Sequence, residues 1–212
     1  MTATAVDTTR ISLELGCCPD AHEQFGPLYL QLAGGAYDLC SVLEIPDTVD
    51  EWRDQHRTAR KRANRAERLG YQFAEIHRHL YADDIYRINT SLEKRQGRPM
   101  SNGYMTRQSY APLPDYPCPR HRITTYGVLR DERLWAYMWM YRSGDLALVS
   151  SILGHGDVLR DDVMYLLAQG VIASETGTDG LLVYNRWDSG TEGLRYYKAR
   201  CGFTEQHVEW LS

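Results

Sequence analysis

Residues 123–153 read ITTYGVLRDERLWAYMWMYRSGDLALVSSIL, and this stretch decides the architecture. Apolar residues alternate with others through Ile123–Arg130, Arg133–Arg142 and Leu146–Leu153, the period of half-buried strands. Asp131-Glu132 and Ser143-Gly144 mark hairpin turns between them. The period then changes. Leu159–Ser174 reads as a helix, Leu181–Trp187 as a strand, Thr191–Cys201 as a helix and Glu205–Leu211 as a last strand. Hairpins give antiparallel neighbours, whereas crossover helices join parallel ones. The order β-β-β-α-β-α-β therefore predicts a mixed sheet of the α/β (α+β) kind with helices on both faces.

Working outward, Tyr37–Ile45 reads as a strand and Ile11–Leu15 as a weak one. Pro46 and Asp47 open a helix over 47–69, with Asp47 as N-cap and Gly70 just past its end. Tyr71–His79 alternates like a strand. Tyr81–Lys94 carries Ile85, Ile88 and Leu92 on one helical side. Residues 97–122 hold Pro99, Pro112, Pro114, Pro117 and Pro119 and read as a long irregular connection, a frequent carrier of function. No internal repeat breaks the chain, so residues 1–212 read as one domain.

Hydrophobic residues make up 43% and charged residues 25%, which argues against disorder. Five cysteines without paired CxxC spacing read as reduced thiols. No apolar run is long enough for a membrane span, and Met1–Arg10 lacks the apolar core of a secretion signal, so a cytoplasmic location is expected. The formal net charge of −4 is unevenly spread. Glu51–Arg68 holds seven Arg or Lys against three acids, a local +4, and the remainder carries −8. Such a local imbalance suits a polyanionic partner.

Leu194-Arg195-Tyr196-Tyr197-Lys198-Ala199-Arg200-Cys201-Gly202-Phe203 resembles the last helix of the GNAT acyltransferase fold, which closes in a Gly-Phe pair. Many acetyl-CoA-dependent members carry Tyr four residues before that Gly. Lys198 stands there instead, after Tyr197, which resembles the FemX-like branch of aminoacyl-tRNA-dependent peptidyltransferases. The basic run Arg57–Gly70 and the turn Arg95-Gln96-Gly97-Arg98-Pro99 resemble segments of the same branch. Members usually carry two GNAT-like domains, and this sequence has room for one. The resemblance implies an acyltransferase that moves an aminoacyl group from aminoacyl-tRNA to an amine of a peptide or small molecule, with no bound cofactor.

Acyl transfer to an amine needs a positioned donor, a neutral amine and stabilisation of a tetrahedral oxyanion. The resemblance places these functions on the central strands Leu146–Leu153 and Leu181–Trp187. Lys198, Asn185, Tyr197 and His155 are the candidate catalytic residues. Lys198 would hold a phosphate or the developing charge, and His155 would be a base or a loop cap. Arg186, Asp188 and Ser189 would line the mouth. Arg60, Lys61, Arg62 and Arg65 would meet the tRNA, with Arg95 and Tyr104 as further substrate-binding residues. Arg78, Arg87, Lys94 and Arg98 would extend the surface, and Tyr110 and Tyr116 would stack or cover.

In the loop Leu153–Asp162, two glycines match a pyrophosphate-binding turn. Asp157, Asp161 and Asp162 crowd the same helix start, and Arg160 offsets one of them, which argues against CoA. An acyl-CoA-dependent N-acyltransferase acting on a small amine or nucleobase is the first alternative. A non-catalytic nucleic-acid-binding module is the second. His77, His79, Asp83 and Asp84 read as surface rather than metal ligands. Cys118 and His121 lack a second ligand pair for zinc. Cys17-Cys18 reads as buried thiols, and Trp135, Tyr137 and Trp139 as sheet packing.

Overall fold

The computed structural model describes residues 7–12, 39–113, 118, 120–178, 180–188 and 190–211. Its elements, in chain order, are β1 (Thr8–Ser12), β2 (Leu39–Glu44), α1 (Val49–Gln55), α2 (Arg57–Arg68), β3 (Gln72–Glu75), α3 (Ala82–Thr90), β4 (Lys94–Arg95), β5 (Arg98–Pro99) and α4 (Asn102–Met105). Then follow β6 (His121–Arg130), β7 (Arg133–Ser143), β8 (Leu146–Gly154), α5 (Val163–Glu175), β9 (Leu181–Arg186), α6 (Glu192–Arg200) and β10 (Thr204–Leu211). Eight strands form one sheet in the order β1-β10-β2-β9-β8-β7-β6-β3. β8 pairs with β9 and β1 with β10 in parallel, and the other neighbours are antiparallel, so the sheet is mixed.

Strand alternation sorts the core onto two faces. Tyr126, Val128, Ala136, Met138, Ala147, Leu182 and Tyr184 face α1, α2 and α5, and α6 joins this layer through Leu194 and Tyr197. On the opposite face, Leu134, Tyr137 and Leu153 pack against Ile85 and Ile88 of α3. Ala59, Ala63 and Ala66 are fully buried, so α2 lies close against α5. The reach of α5 is limited in turn by Phe73, whose ring carbons would stand 2.2 Å from any Cβ at Gly170.

Several expected boundaries move. The helix expected over 47–69 is two helices bent at His56 (φ −110°, ψ 53°), and Thr48 rather than Asp47 caps it, accepting from Glu51 N at 3.2 Å. The strand expected over 71–79 shortens to β3 and gives way to a 3-10 turn, Arg78–Tyr81. The 97–122 connection is not wholly irregular, because it completes the β4–β5 hairpin around Gln96 and Gly97 and then contains α4. The helix expected from Leu159 begins as a 3-10 turn, Gly156–Asp161, and becomes α-helical at Val163. Tyr37, Leu13–Leu15, Cys17-Cys18 and Tyr116 lie outside the described residues.

A buried ion network ties α5 to the meander. Glu175 is fully buried, and its Oε2 accepts from Arg142 Nε at 2.9 Å. Its Oε1 accepts from Arg122 at 3.0 Å and from the Tyr126 hydroxyl at 2.9 Å.

Candidate active site

Two strands that begin paired and then separate create the site. β8 and β9 are in register only over Leu146↔Leu181, Ala147↔Leu182 and Leu148↔Val183, although β8 runs on to Gly154 and β9 to Arg186. Ser150 helps to part them. It is the extra residue where Trp139 pairs with Ser151 and Met140 with Val149, a bulge that re-aims the strand. Beyond Leu148, the β9-facing backbone of β8 has no strand partner among the described residues.

A two-lobed cleft occupies this gap. The larger lobe, about 450 Å³, lies between the ends of β8 and β9 and the first turns of α5 and α6. Arg62, Lys94 and Arg95 are its cations, Asp162 its carboxylate, and Tyr165, Tyr184 and Tyr197 its aromatic walls. The smaller lobe, about 240 Å³, is lined by Met100, Tyr104, Val149, Ser150 and Ser151. Arg95, Ile152, Leu153, Tyr184 and Leu194 line both lobes, which therefore adjoin at the point where the strands part.

Arg95 is the cation at this junction. Its Nη1 donates to Gly154 O at 2.9 Å, and its Nη2 to Ile88 O at 2.8 Å and Ser91 Oγ at 3.1 Å. All three acceptors are neutral. Nε is buried with no partner, and burial lowers the guanidinium's pKa from its ordinary value. Tyr104 shares a hydrogen bond with Ser151 across the smaller lobe (Oη to Oγ, 3.0 Å). Tyr197 donates to Met164 O at 2.9 Å and meets Tyr165 edge-on at 5.0 Å, which clamps α6 to the start of α5. Burial holds its phenol pKa well above the usual value.

Lys198 is not among the cleft-lining residues. It is fully buried, its Nζ donates to Arg186 O at 2.7 Å, and it lies 4.7 Å from the centre of the Tyr184 ring. It thus stands behind a cleft wall. Burial lowers its pKa to about 8. His155 also lies off the cleft lining. Its Nδ1 accepts from Asp157 N at 3.3 Å and caps the 3-10 turn, and its ring meets Trp135 edge-on at 5.5 Å. Burial, followed by the Arg87 charge, lowers its pKa. Asn185 is a residue of β9, but its side chain lies outside the described residues, as does Ser189.

The acidic helix start turns out to be compensated. Asp162 opens α5 in the left-handed region (φ 67°). Its carboxylate accepts from Arg62 Nη1 at 3.1 Å and from Arg65 Nη1 at 2.9 Å, and Arg65 also holds Arg160 O at 2.7 Å. Asp161 accepts from the Tyr71 hydroxyl at 2.9 Å. The Arg62 and Arg65 charges therefore offset Asp162, so this loop repels a pyrophosphate less than its sequence implies. The two loop glycines serve packing: a Cβ at Gly154 would stand 2.7 Å from Met164 Sδ, and one at Gly156 2.9 Å from Leu92.

The basic helix divides its charges. Arg62 and Arg65 turn inward to Asp162, and Arg60 pairs with Asp54 at 3.2 Å. Arg57, Lys61 and Arg68 share one helical side, are exposed, and have no acid partner among the described residues. Arg87 is held by Asp84 and Leu134 O, and Arg78 lies 5.3 Å from the Tyr110 and Trp139 ring centres. Asp83 pairs with Arg107, and no cluster of metal-ligating side chains exists among the described residues. No described helix is long and apolar enough to cross a membrane.

No protein-family model matches the chain, and no curated protein matches it. Solved structures do. FemX superposes with a TM-score of 0.56 at 10% identity, over 89% of this chain and 66% of that one. A functionally unknown conserved protein from Staphylococcus epidermidis gives 0.51 at 10% identity, over 85% of this chain and 64% of that one. The C-terminal domain of a putative lysylphosphatidylglycerol synthetase from Agrobacterium fabrum gives 0.50 at 11% identity, over 80% of this chain and 58% of that one. This chain thus spans 58% to 66% of the length of these structures. At such identities the likeness is one of fold: the mixed sheet is built like that of FemX.

Proposed function

We propose that this chain is an acyltransferase that moves an aminoacyl group from aminoacyl-tRNA to an amine. The observation that carries the reading is the two-lobed cleft at the parting of β8 and β9. It lets an acyl donor and an acceptor approach one carbonyl from adjoining lobes, the arrangement that proximity catalysis requires. In the reaction the amine nitrogen attacks the ester carbonyl, a C–N bond forms, and the C–O bond to the terminal ribose breaks. The amine's proton leaves with the departing ribose oxygen. N–H groups of β8 beyond Leu148, which have no β9 partner among the described residues, and the Arg95 charge stabilise the tetrahedral oxyanion. Lys198 acts from behind Tyr184, positioning the end of β9 through Arg186 O. Arg57, Lys61 and Arg68, which have no acid partner among the described residues, meet the phosphates of the donor.

The pairing of Asp162 with Arg62 and Arg65 favours a second reading, in which an acyl-CoA is the donor. Titration at two salt concentrations separates the two. The first reading expects aminoacyl-tRNA to bind more tightly than deacylated tRNA, with affinity that falls in salt and in Arg57→Glu/Lys61→Glu/Arg68→Glu. Acetyl-CoA binding without tRNA binding overturns it in favour of the second. Salt-sensitive binding that ignores the aminoacyl group, with no transfer, leaves a nucleic-acid-binding module.

A further inference from the structure

We infer that the acceptor is an amine that carries its own carboxylate, of free amino acid size, seated in the smaller lobe with its carboxylate on Arg95. This rests on the transferase reading above and names the acceptor class for it.

The first ground is the state of Arg95. A partly buried cation is costly unless an anion compensates it. Arg95 has no acid partner among the described residues; its acceptors are two carbonyls and a hydroxyl, and Nε has none. The other cleft guanidinium, Arg62, has Asp162. Arg95 is therefore the cleft guanidinium that lacks an anion.

The second ground is the composition of the smaller lobe. None of its lining residues is Asp or Glu. A simple ammonium ion entering it would meet Arg95 and no compensating charge, so a plain amine is poorly held. A zwitterion neutralises Arg95 with its carboxylate. Tyr104 and Ser151 supply hydroxyl oxygens for the N–H bonds, and Met100, Val149 and Leu153 supply an apolar wall.

The third ground is size. A volume of about 240 Å³ suits an aliphatic amino acid side chain and its backbone.

The test is calorimetric titration of the full chain with the free amino acids, and with the amide and the decarboxylated amine of each one that binds. Transfer from aminoacyl-tRNA is measured in parallel with the same acceptors. The inference expects at least one amino acid to bind at least tenfold more tightly than its amide and its amine. Arg95→Gln should erase that preference, and Arg95→Lys should restore part of it. Should Arg95→Gln fail to fold, Met100→Trp provides the second variant: it fills the smaller lobe and should abolish amino acid binding while leaving tRNA binding intact. Equal or tighter binding of the amide, or no amino acid binding at all, overturns the inference. Transfer to an amide as fast as to its parent acid overturns it while the transferase reading stands. Carboxylate-selective binding without any transfer does the reverse.

Discussion

Replacing Asp162 with Asn isolates the charge that the basic helix spends on its own protein. Asn accepts the left-handed backbone that Asp162 adopts at φ 67°, so the change removes charge without straining the turn. Asp162 is 10% exposed, while its partners Arg62 and Arg65 are 44% and 48% exposed. With both guanidinia nearly half in water, solvent screening limits each pair to about 0.5–1 kcal/mol. The expected loss is about 1–2 kcal/mol, a fall in Tm of about 2–8 °C for a chain of this size. Binding should move the other way. Two released guanidinia beside Lys61 add up to two phosphate contacts, so the slope of log K against log salt should steepen by about 1.4–1.8. Differential scanning calorimetry and fluorescence anisotropy with labelled tRNA at four salt concentrations read both quantities. An unchanged or shallower slope, alongside the expected fall in Tm, would refute the expectation that the Arg62 and Arg65 side of α2 lies within reach of the donor.

Other residues give independent checks. Glu175→Gln leaves Arg142 buried without its counter-ion, which should cost about 3–5 kcal/mol in chemical denaturation; tRNA affinity should not move. Burial lowers the folded pKa of Lys198 to about 8 from an ordinary 10.5, so above pH 8 the unfolded chain binds more protons and folding gains stability as pH rises. The difference in Tm between the native protein and Lys198→Met should accordingly grow from pH 8 to pH 10, and a flat difference would show that the amine is not buried as described. Tyr104→Phe removes a hydroxyl from the smaller lobe at a cost of about 0.5–1.5 kcal/mol. Steady-state kinetics should show this as a rise of about 2-fold to 12-fold in the acceptor KM at an unchanged donor KM.

The sheet was legible because its signals are local. Alternation between Ile123 and Leu153 and the turns at Asp131-Glu132 and Ser143-Gly144 depend on near neighbours, and the pairing of β6, β7 and β8 follows them. The last helix was legible in the same way, through Gly202-Phe203. The chemistry of the site was less so, since it depends on distant pairs. Asp162 looked like uncompensated charge because Arg62 and Arg65 stand about a hundred residues upstream. Lys198 was read as a holder of phosphate or developing charge; its burial behind Tyr184 follows from a carbonyl of β9 that the sequence does not flag. His155 could be read as base or cap, and its hydrogen bond to Asp157 N makes it a cap. The bulge at Ser150 leaves no mark in the alternation around it. Arg95 was singled out by its turn, whereas its place between two lobes needed the fold.

The central claim is that the parting of β8 and β9 joins a donor lobe to an acceptor lobe. The most direct test follows labelled aminoacyl groups from mixed aminoacyl-tRNA, and in parallel acyl groups from acyl-CoA, into amide products by mass spectrometry. Ile152→Trp, at the junction of the lobes, serves as the blocked control. The expected result is an amide product from aminoacyl-tRNA that needs the protein and disappears with Ile152→Trp while tRNA binding persists. Absence of amide from either donor, or product formation that Ile152→Trp leaves untouched, would contradict it.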